Sequence, residues 1–142
     1  MKSFETNSEE ETIELGRKIA RELPKSAVVL LIGNLGAGKT MLAKGIISGL
    51  GAAEPEEVVS PTFTLMHEYG SGGVYHIDLY RLDTPQQVAT LGLEEILDGM
   101  SKKDAIVLVE WGERFPDLFP AGRIEIDLRT VTESKRQITI NQ

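Results

Sequence analysis

The residues best suited to chemistry lie together: Gly33, Asn34, Leu35, Gly36, Ala37, Gly38, Lys39 and Thr40 spell G-x-x-x-x-G-K-[ST], the pattern of a phosphate-binding loop. A triphosphate presents closely spaced anionic oxygens, and backbone N–H groups reach them only where no side chain intervenes. Gly33, Gly36 and Gly38 open that approach, and a helix starting near Lys39 would aim its N-terminal dipole at the anion. Lys39 would pair with the β- and γ-phosphates, and the Thr40 hydroxyl would ligate Mg²⁺. A plain strand-to-helix turn uses glycines but has no need of Lys and then Thr at these two places. The stretch therefore reads as a nucleotide site, with expected contacts from Gly33 through Met41.

The flanking residues supply the elements that such a loop requires. Residues 27–32 are an unbroken apolar run rich in Val, Leu and Ile, as in a strand buried on both faces. Leu42, Ala43, Ile46, Ile47 and Leu50 recur at helical spacing, and Gly51 falls where a C-cap belongs. A second apolar run, 105–109, ends in Glu110. It resembles a Walker-B strand, which would lie beside the first strand and bring its carboxylate to the Mg²⁺. Glu stands where Asp is commoner, and its extra methylene lets it reach the metal directly, act through a water, or orient the attacking water. The plainer alternative is a core strand that happens to end in Glu.

Other candidates are less marked. Residues 51–61 read as a surface loop following the phosphate-loop helix, where P-loop proteins carry a segment that senses the γ-phosphate. Ser60, Thr62 and Thr64 offer hydroxyls there; Thr62, directly after Ser60-Pro61, is the preferred sensor, against a bland role on a β-surface. Residues 63–69 and 73–80 read as two strands joined by Gly70-Ser71-Gly72. In the second, Tyr75, Ile77 and Leu79 alternate with His76 and Asp78, so the latter two share a polar face. Asp78 is then a metal-shell or water-positioning carboxylate, or simply a turn residue. His67 and His76 show no ligand spacing and read as solvated or strand-face residues.

The rest of the chain frames these groups. Ser8 with Glu11 forms a capping box, Ile13, Gly16, Ile19, Ala20 and Leu23 mark one helical face, and Pro24 stops it. Thr84-Pro85 starts another helix, and Gly92 divides the apolar pattern that follows into two short ones. Residues 123–129 alternate and 137–140 return, predicting a half-exposed antiparallel hairpin. The expected fold is α/β: a single P-loop NTPase-like domain over 1–142, its mixed sheet having a parallel core, flanking helices and antiparallel hairpins at the margins. With no cysteine, disulfides and cysteine-based metal sites are excluded. No run reaches membrane-spanning length and the first residues lack the apolar region of a signal peptide, so a cytoplasmic location is expected. A net charge of −7 argues against autonomous nucleic-acid binding.

Taken together these residues resemble the bacterial TsaE (YjeE) family, the P-loop ATPases of tRNA threonylcarbamoyladenosine biosynthesis. The resemblance spans nearly the whole chain. It rests on the loop at 33–40, Ser-Pro-Thr-Phe-Thr at 60–64, His-Ile-Asp-Leu-Tyr-Arg-Leu at 76–82, Gly-Leu-Glu-Glu at 92–95 and Glu-Trp at 110–111. It implies slow ATP hydrolysis and two partners, TsaB and TsaD, which together place a threonylcarbamoyl group on the adenosine beside the anticodon of tRNA, so that tRNA is met only through the complex. By position it implies that Lys39 and Thr40 hold phosphate and Mg²⁺, while Thr62, Asp78 and Glu110 surround the γ-phosphate and metal; Trp111 is expected to be sensitive to change.

Two alternatives share the loop. A small-molecule kinase would need an acceptor pocket and an arginine-bearing lid, for which Arg114 and Arg123 form no cluster. A nucleotide-gated binding module with little hydrolysis fits every motif, because no arginine finger is evident; Arg81 is nearest, and a partner could supply one. A GTPase is disfavoured, since Ser101-Lys102-Lys103-Asp104 precedes a strand instead of following one.

Overall fold

The two apolar runs lie side by side at the centre of the molecule. The computed structural model describes residues 2–70 and 73–141. In chain order the elements are β1 (Lys2–Thr6), α1 (Glu9–Glu22), β2 (Ala27–Ile32), α2 (Lys39–Gly49), β3 (Met66–Tyr69), β4 (Val74–Asp78), α3 (Pro85–Ala89), α4 (Leu93–Gly99), β5 (Ile106–Glu110), β6 (Ile124–Thr130) and β7 (Arg136–Asn141). Among the described residues the strands form one seven-stranded sheet in the order β1-β7-β6-β2-β5-β4-β3. The inner strands β6, β2, β5 and β4 run parallel, while β3 and β7 are antiparallel to their neighbours. This is the mixed α/β architecture that the sequence predicts.

Burial on both faces explains the uninterrupted apolar runs. Val29, Leu31 and Leu108 face α1 and α2, packing on Leu15, Ile19, Leu42 and Ile46. Val28, Leu30, Val107 and Val109 face the other way, against Val88, Leu93, Phe115 and Phe119. The helices α1 and α2 pack with almost no gap. A Cβ on Gly16 would lie 2.5 Å from the Leu42 carbonyl oxygen, and one on Gly45 would run into the carbonyl of Ile13.

Local punctuation is mostly as predicted. Ser8 caps α1 by accepting from the Glu11 N–H at 3.1 Å, whereas the Glu11 carboxylate reaches past the cap to the Asn7 N–H at 2.9 Å. Thr84 caps α3, and Gly92 at φ 77° separates α3 from α4. Four expectations need correction. The inward face of α1 uses Thr12 and Leu15, with Ile13 only half-buried. The strand expected from residue 63 begins at Met66, because the chain first turns through Leu65 at φ 72°. Its partner is shortened to Val74–Asp78, and Ser71-Gly72 of the expected turn lie outside the described residues. The C-terminal hairpin is not wholly marginal: β6 joins the parallel core beside β2, burying Ile124, Ile126 and Leu128. Strand β1 was not legible, since an edge strand with Phe4 as its one large apolar residue has no periodic signal.

Candidate nucleotide site

The parallel strands β2, β4 and β5 end at a cleft of about 790 Å³, the place where open α/β sheets receive ligands. The loop after β2 forms its floor. Gly36 at φ 80° and Gly38 at φ 99° occupy left-handed conformations that favour glycine. Nothing lies within 4 Å of where a Gly36 Cβ would stand, whereas a Cβ on Gly33 would sit 2.6 Å from the Leu128 carbonyl oxygen. Gly36 thus keeps the loop open toward the cleft, and Gly33 lets the loop press on β6. Of the predicted contacts, Leu35, Gly36, Gly38, Lys39, Thr40 and Met41 line the cleft. Gly33, Asn34 and Ala37 form the turn beneath it, closed by the Ala37 N–H on the Asn34 carbonyl at 3.0 Å.

Lys39 is buried at the start of α2. Its ammonium donates to the Gly33 carbonyl at 2.7 Å and stands 3.6 Å from the centre of the Trp111 ring, a cation–π contact. Burial lowers its pKa below the ordinary lysine value, with the carboxylates of Glu110, Glu113 and Asp78 pulling the other way. Thr40 donates to Glu110 Oε2 at 3.3 Å, joining the loop to the end of β5. Asp78 and Glu110 are register partners on adjacent parallel strands, which sets their carboxylates side by side. Asp78 accepts from the Thr62 hydroxyl at 3.0 Å and from the Tyr80 N–H at 2.8 Å. Ser60 is 2.8 Å from Thr62, while Thr64 turns aside to His67 Nε2 at 3.0 Å. The structure therefore brings Thr62, Asp78, Lys39, Thr40 and Glu110 to one place, and leaves Thr64 out.

His76 is the main correction. The period-two pattern correctly sets it on the face of Asp78, but that position is closed off from solvent, and His76 is 0% exposed. Its Nε2 lies 2.7 Å from Glu110 Oε2. Trp111 holds a left-handed backbone at φ 66°, which turns its ring over Lys39 and to 5.1 Å from Tyr80. Glu113 is also close enough to act on the charge of Lys39. Burial raises its pKa above the usual carboxylate value, against the opposing pull of Lys39 and Arg114.

Several lining residues escape sequence reasoning because no motif marks them. Asn7, Glu9 and Glu10 border the cleft from the start of α1, and Glu133, Ser134 and Arg136 from the β6–β7 connection. Arg136 donates to the Gly36 carbonyl at 3.2 Å, so the second wall carries an arginine. Arg81 instead lies over the Phe63 ring at 5.0 Å, and Arg114 is bound to the Leu79 and Tyr80 carbonyls. Among the described residues no cluster of three or more His, Cys, Asp or Glu is placed to hold a metal ion. Thr40 and Glu110 can supply part of a Mg²⁺ shell, the usual case when phosphate oxygens and water complete it.

A family model described as "Threonylcarbamoyl adenosine biosynthesis protein TsaE" matches residues 6–138. The chain is 44% identical over 133 residues to a tRNA threonylcarbamoyladenosine biosynthesis protein TsaE of Nostoc, covering 92% of this chain and 80% of that one. It is 37% identical to the protein of that name from Treponema pallidum, covering 95% of this chain and 96% of that one. Among solved structures, Bacillus subtilis YdiB superposes with a TM-score of 0.75 at 30% identity, covering 98% of this chain and 83% of that one. With the match running from the end of β1 into β7, through every residue of the cleft floor, the chain belongs to the TsaE family of threonylcarbamoyl adenosine biosynthesis proteins.

Proposed function

We propose that this chain is a Mg²⁺-dependent ATPase that supports a TsaB–TsaD complex in modifying the adenosine beside the tRNA anticodon. The observation that carries the reading is the bond from Thr40 to Glu110. It links the residue after the loop lysine to a strand-end carboxylate, the pairing that a Mg²⁺–phosphate site requires.

In this reading the loop N–H groups and the start of α2 receive the phosphates. Lys39 exchanges the Gly33 carbonyl for phosphate oxygens, a favourable exchange because its buried charge lacks a full counter-ion shell. Thr40 and Glu110 would hold Mg²⁺, which when bound would supply positive charge to offset that of the phosphates. A hydroxyl that gives its lone pair to a cation must send its proton elsewhere, and Glu110 Oε2 already accepts it. Asp78, tied to Thr62, stands next to Glu110 and orients the attacking water. Thr62 senses the γ-phosphate, and movement of its loop couples hydrolysis to the partners. The family membership supplies the pathway.

ATP binding and turnover measured on wild type and Glu110→Ala test the proposal. At saturating Mg²⁺ binding should persist while turnover falls by at least about tenfold. Unchanged turnover would remove Glu110 from the mechanism, and no turnover in wild type, with or without the partners, would leave a nucleotide-gated binding module.

A further inference from the structure

Glu110 Oε2 is approached from two sides. Thr40 donates to it at 3.3 Å from the cleft, and His76 Nε2 lies 2.7 Å away from within the sheet. Among the described residues Oε1 receives no hydrogen bond, and the carboxylate lines the cleft. The approach of His76 follows from register. His76 pairs with Leu108 and Asp78 with Glu110, so His76 reaches diagonally across to Glu110 on the face shared with Asp78. At 0% exposure, His76 is shielded from bulk solvent.

The other ring nitrogen fixes the direction of the bond. Nδ1 is buried with no hydrogen-bond partner among the described residues. A proton there would be a buried donor with nothing to receive it. The ring proton therefore belongs on Nε2, where it is donated to Glu110.

We infer that His76 is a positioning residue for the cation site: its Nε2–H pins Glu110 Oε2 so that Oε2 takes the Thr40 proton and the Thr40 lone pairs face the cleft. The inference rests on the Mg²⁺-dependent reading above. It assigns His76 no contact with nucleotide or metal. Outer-shell partners that orient a carboxylate ligand commonly matter 10- to 100-fold to metal affinity. His76 is placed as such a partner, two residues before Asp78 on the same strand.

Two measurements test it. The chain has two histidines, so ¹⁵N-labelled protein gives two imidazole patterns in a long-range ¹H–¹⁵N spectrum. The His76 proton should appear on Nε2, and Glu110→Ala should shift that nitrogen while leaving His67 in place. A proton on Nδ1, or a His76 signal indifferent to Glu110→Ala, would overturn the inference. In parallel, ATP binding is titrated against Mg²⁺ for wild type, His76→Leu and His76→Gln, with thermal unfolding run on each variant. Gln places an amide N–H near the position of Nε2, whereas Leu fills the space and donates nothing.

In chelator, both variants should bind ATP as wild type does. His76→Leu should need roughly 10- to 100-fold more Mg²⁺ to reach the tight-binding state, and His76→Gln should recover most of the difference. An unchanged Mg²⁺ requirement in His76→Leu, beside a wild type that does respond, would overturn this inference alone. Equal impairment of the Leu and Gln variants would reduce His76 to packing and overturn it too. A wild type indifferent to Mg²⁺ would overturn the parent reading and this one with it.

Discussion

Lys39 carries a charge in a place that disfavours charge. Burial lowers its pKa, and the three nearby carboxylates only partly oppose that. Anionic phosphates would favour its protonated form, so binding and protonation are linked. The sign follows directly: affinity is fully present while free Lys39 is protonated, and falls as pH rises through its lowered pKa. Nucleotide affinity should therefore decline on the alkaline side before an ordinary lysine would titrate. Lys39→Arg should bind more weakly but show a flat profile, since a guanidinium keeps its proton. A wild-type affinity constant up to the ordinary lysine range would contradict the lowered pKa. Lys39, Thr40 and Glu110 were open to notice because residue type and spacing single them out, and the structure sets all three on the cleft. His76 was not: its partner Glu110 lies 34 positions along the chain, and only strand pairing brings the two to 2.7 Å.

Elements were legible where burial is symmetric or punctuation strong. Strands β2 and β5 are apolar at nearly every position because both faces are covered, and Gly92 broke the α3–α4 pattern where the chain does turn. The short strand β3 and the edge strand β1 were less so, because pairing with a neighbour, and not their own pattern, makes them strands. The contact of α1 with α2 was hidden as well, since a glycine in a helix reads as a weak position and not as a contact. Its cost can be measured. Gly45→Ala favours helix by intrinsic propensity, yet its methyl group meets the Ile13 carbonyl of α1. Overpacking should win, with a loss of about 1–3 kcal/mol or more, seen as a lower urea midpoint at unchanged m-value. Because α2 begins at Lys39, the same variant should also weaken nucleotide binding. A raised midpoint would mean that the two helices separate at little cost.

At the scale of the whole molecule, two large apolar side chains, one lining the cleft and one adjacent in sequence to a lining residue, stay exposed. Phe63 is 80% exposed and Leu35 68%, one beside Thr62 and the other on the loop that forms the cleft floor. Each would be better placed against another surface, since an exposed phenyl ring gives up roughly 1.5–3 kcal/mol of burial. No helix among the described residues is long and apolar enough to cross a membrane. On the proposed reading, a partner docking over the cleft mouth would cover them and order the loop that carries Thr62 onto Asp78. ATP turnover is then low for the chain alone and rises when TsaB and TsaD are added. Phe63→Ser separates docking from chemistry, because Phe63 packs against Arg81 and is not among the residues lining the cleft. Its basal turnover should match wild type, while the partner-stimulated rate falls several-fold and recovers at higher partner concentration. Loss of the basal rate would place Phe63 in the chemistry instead, and full stimulation at wild-type partner concentrations would move the docking surface elsewhere on the molecule.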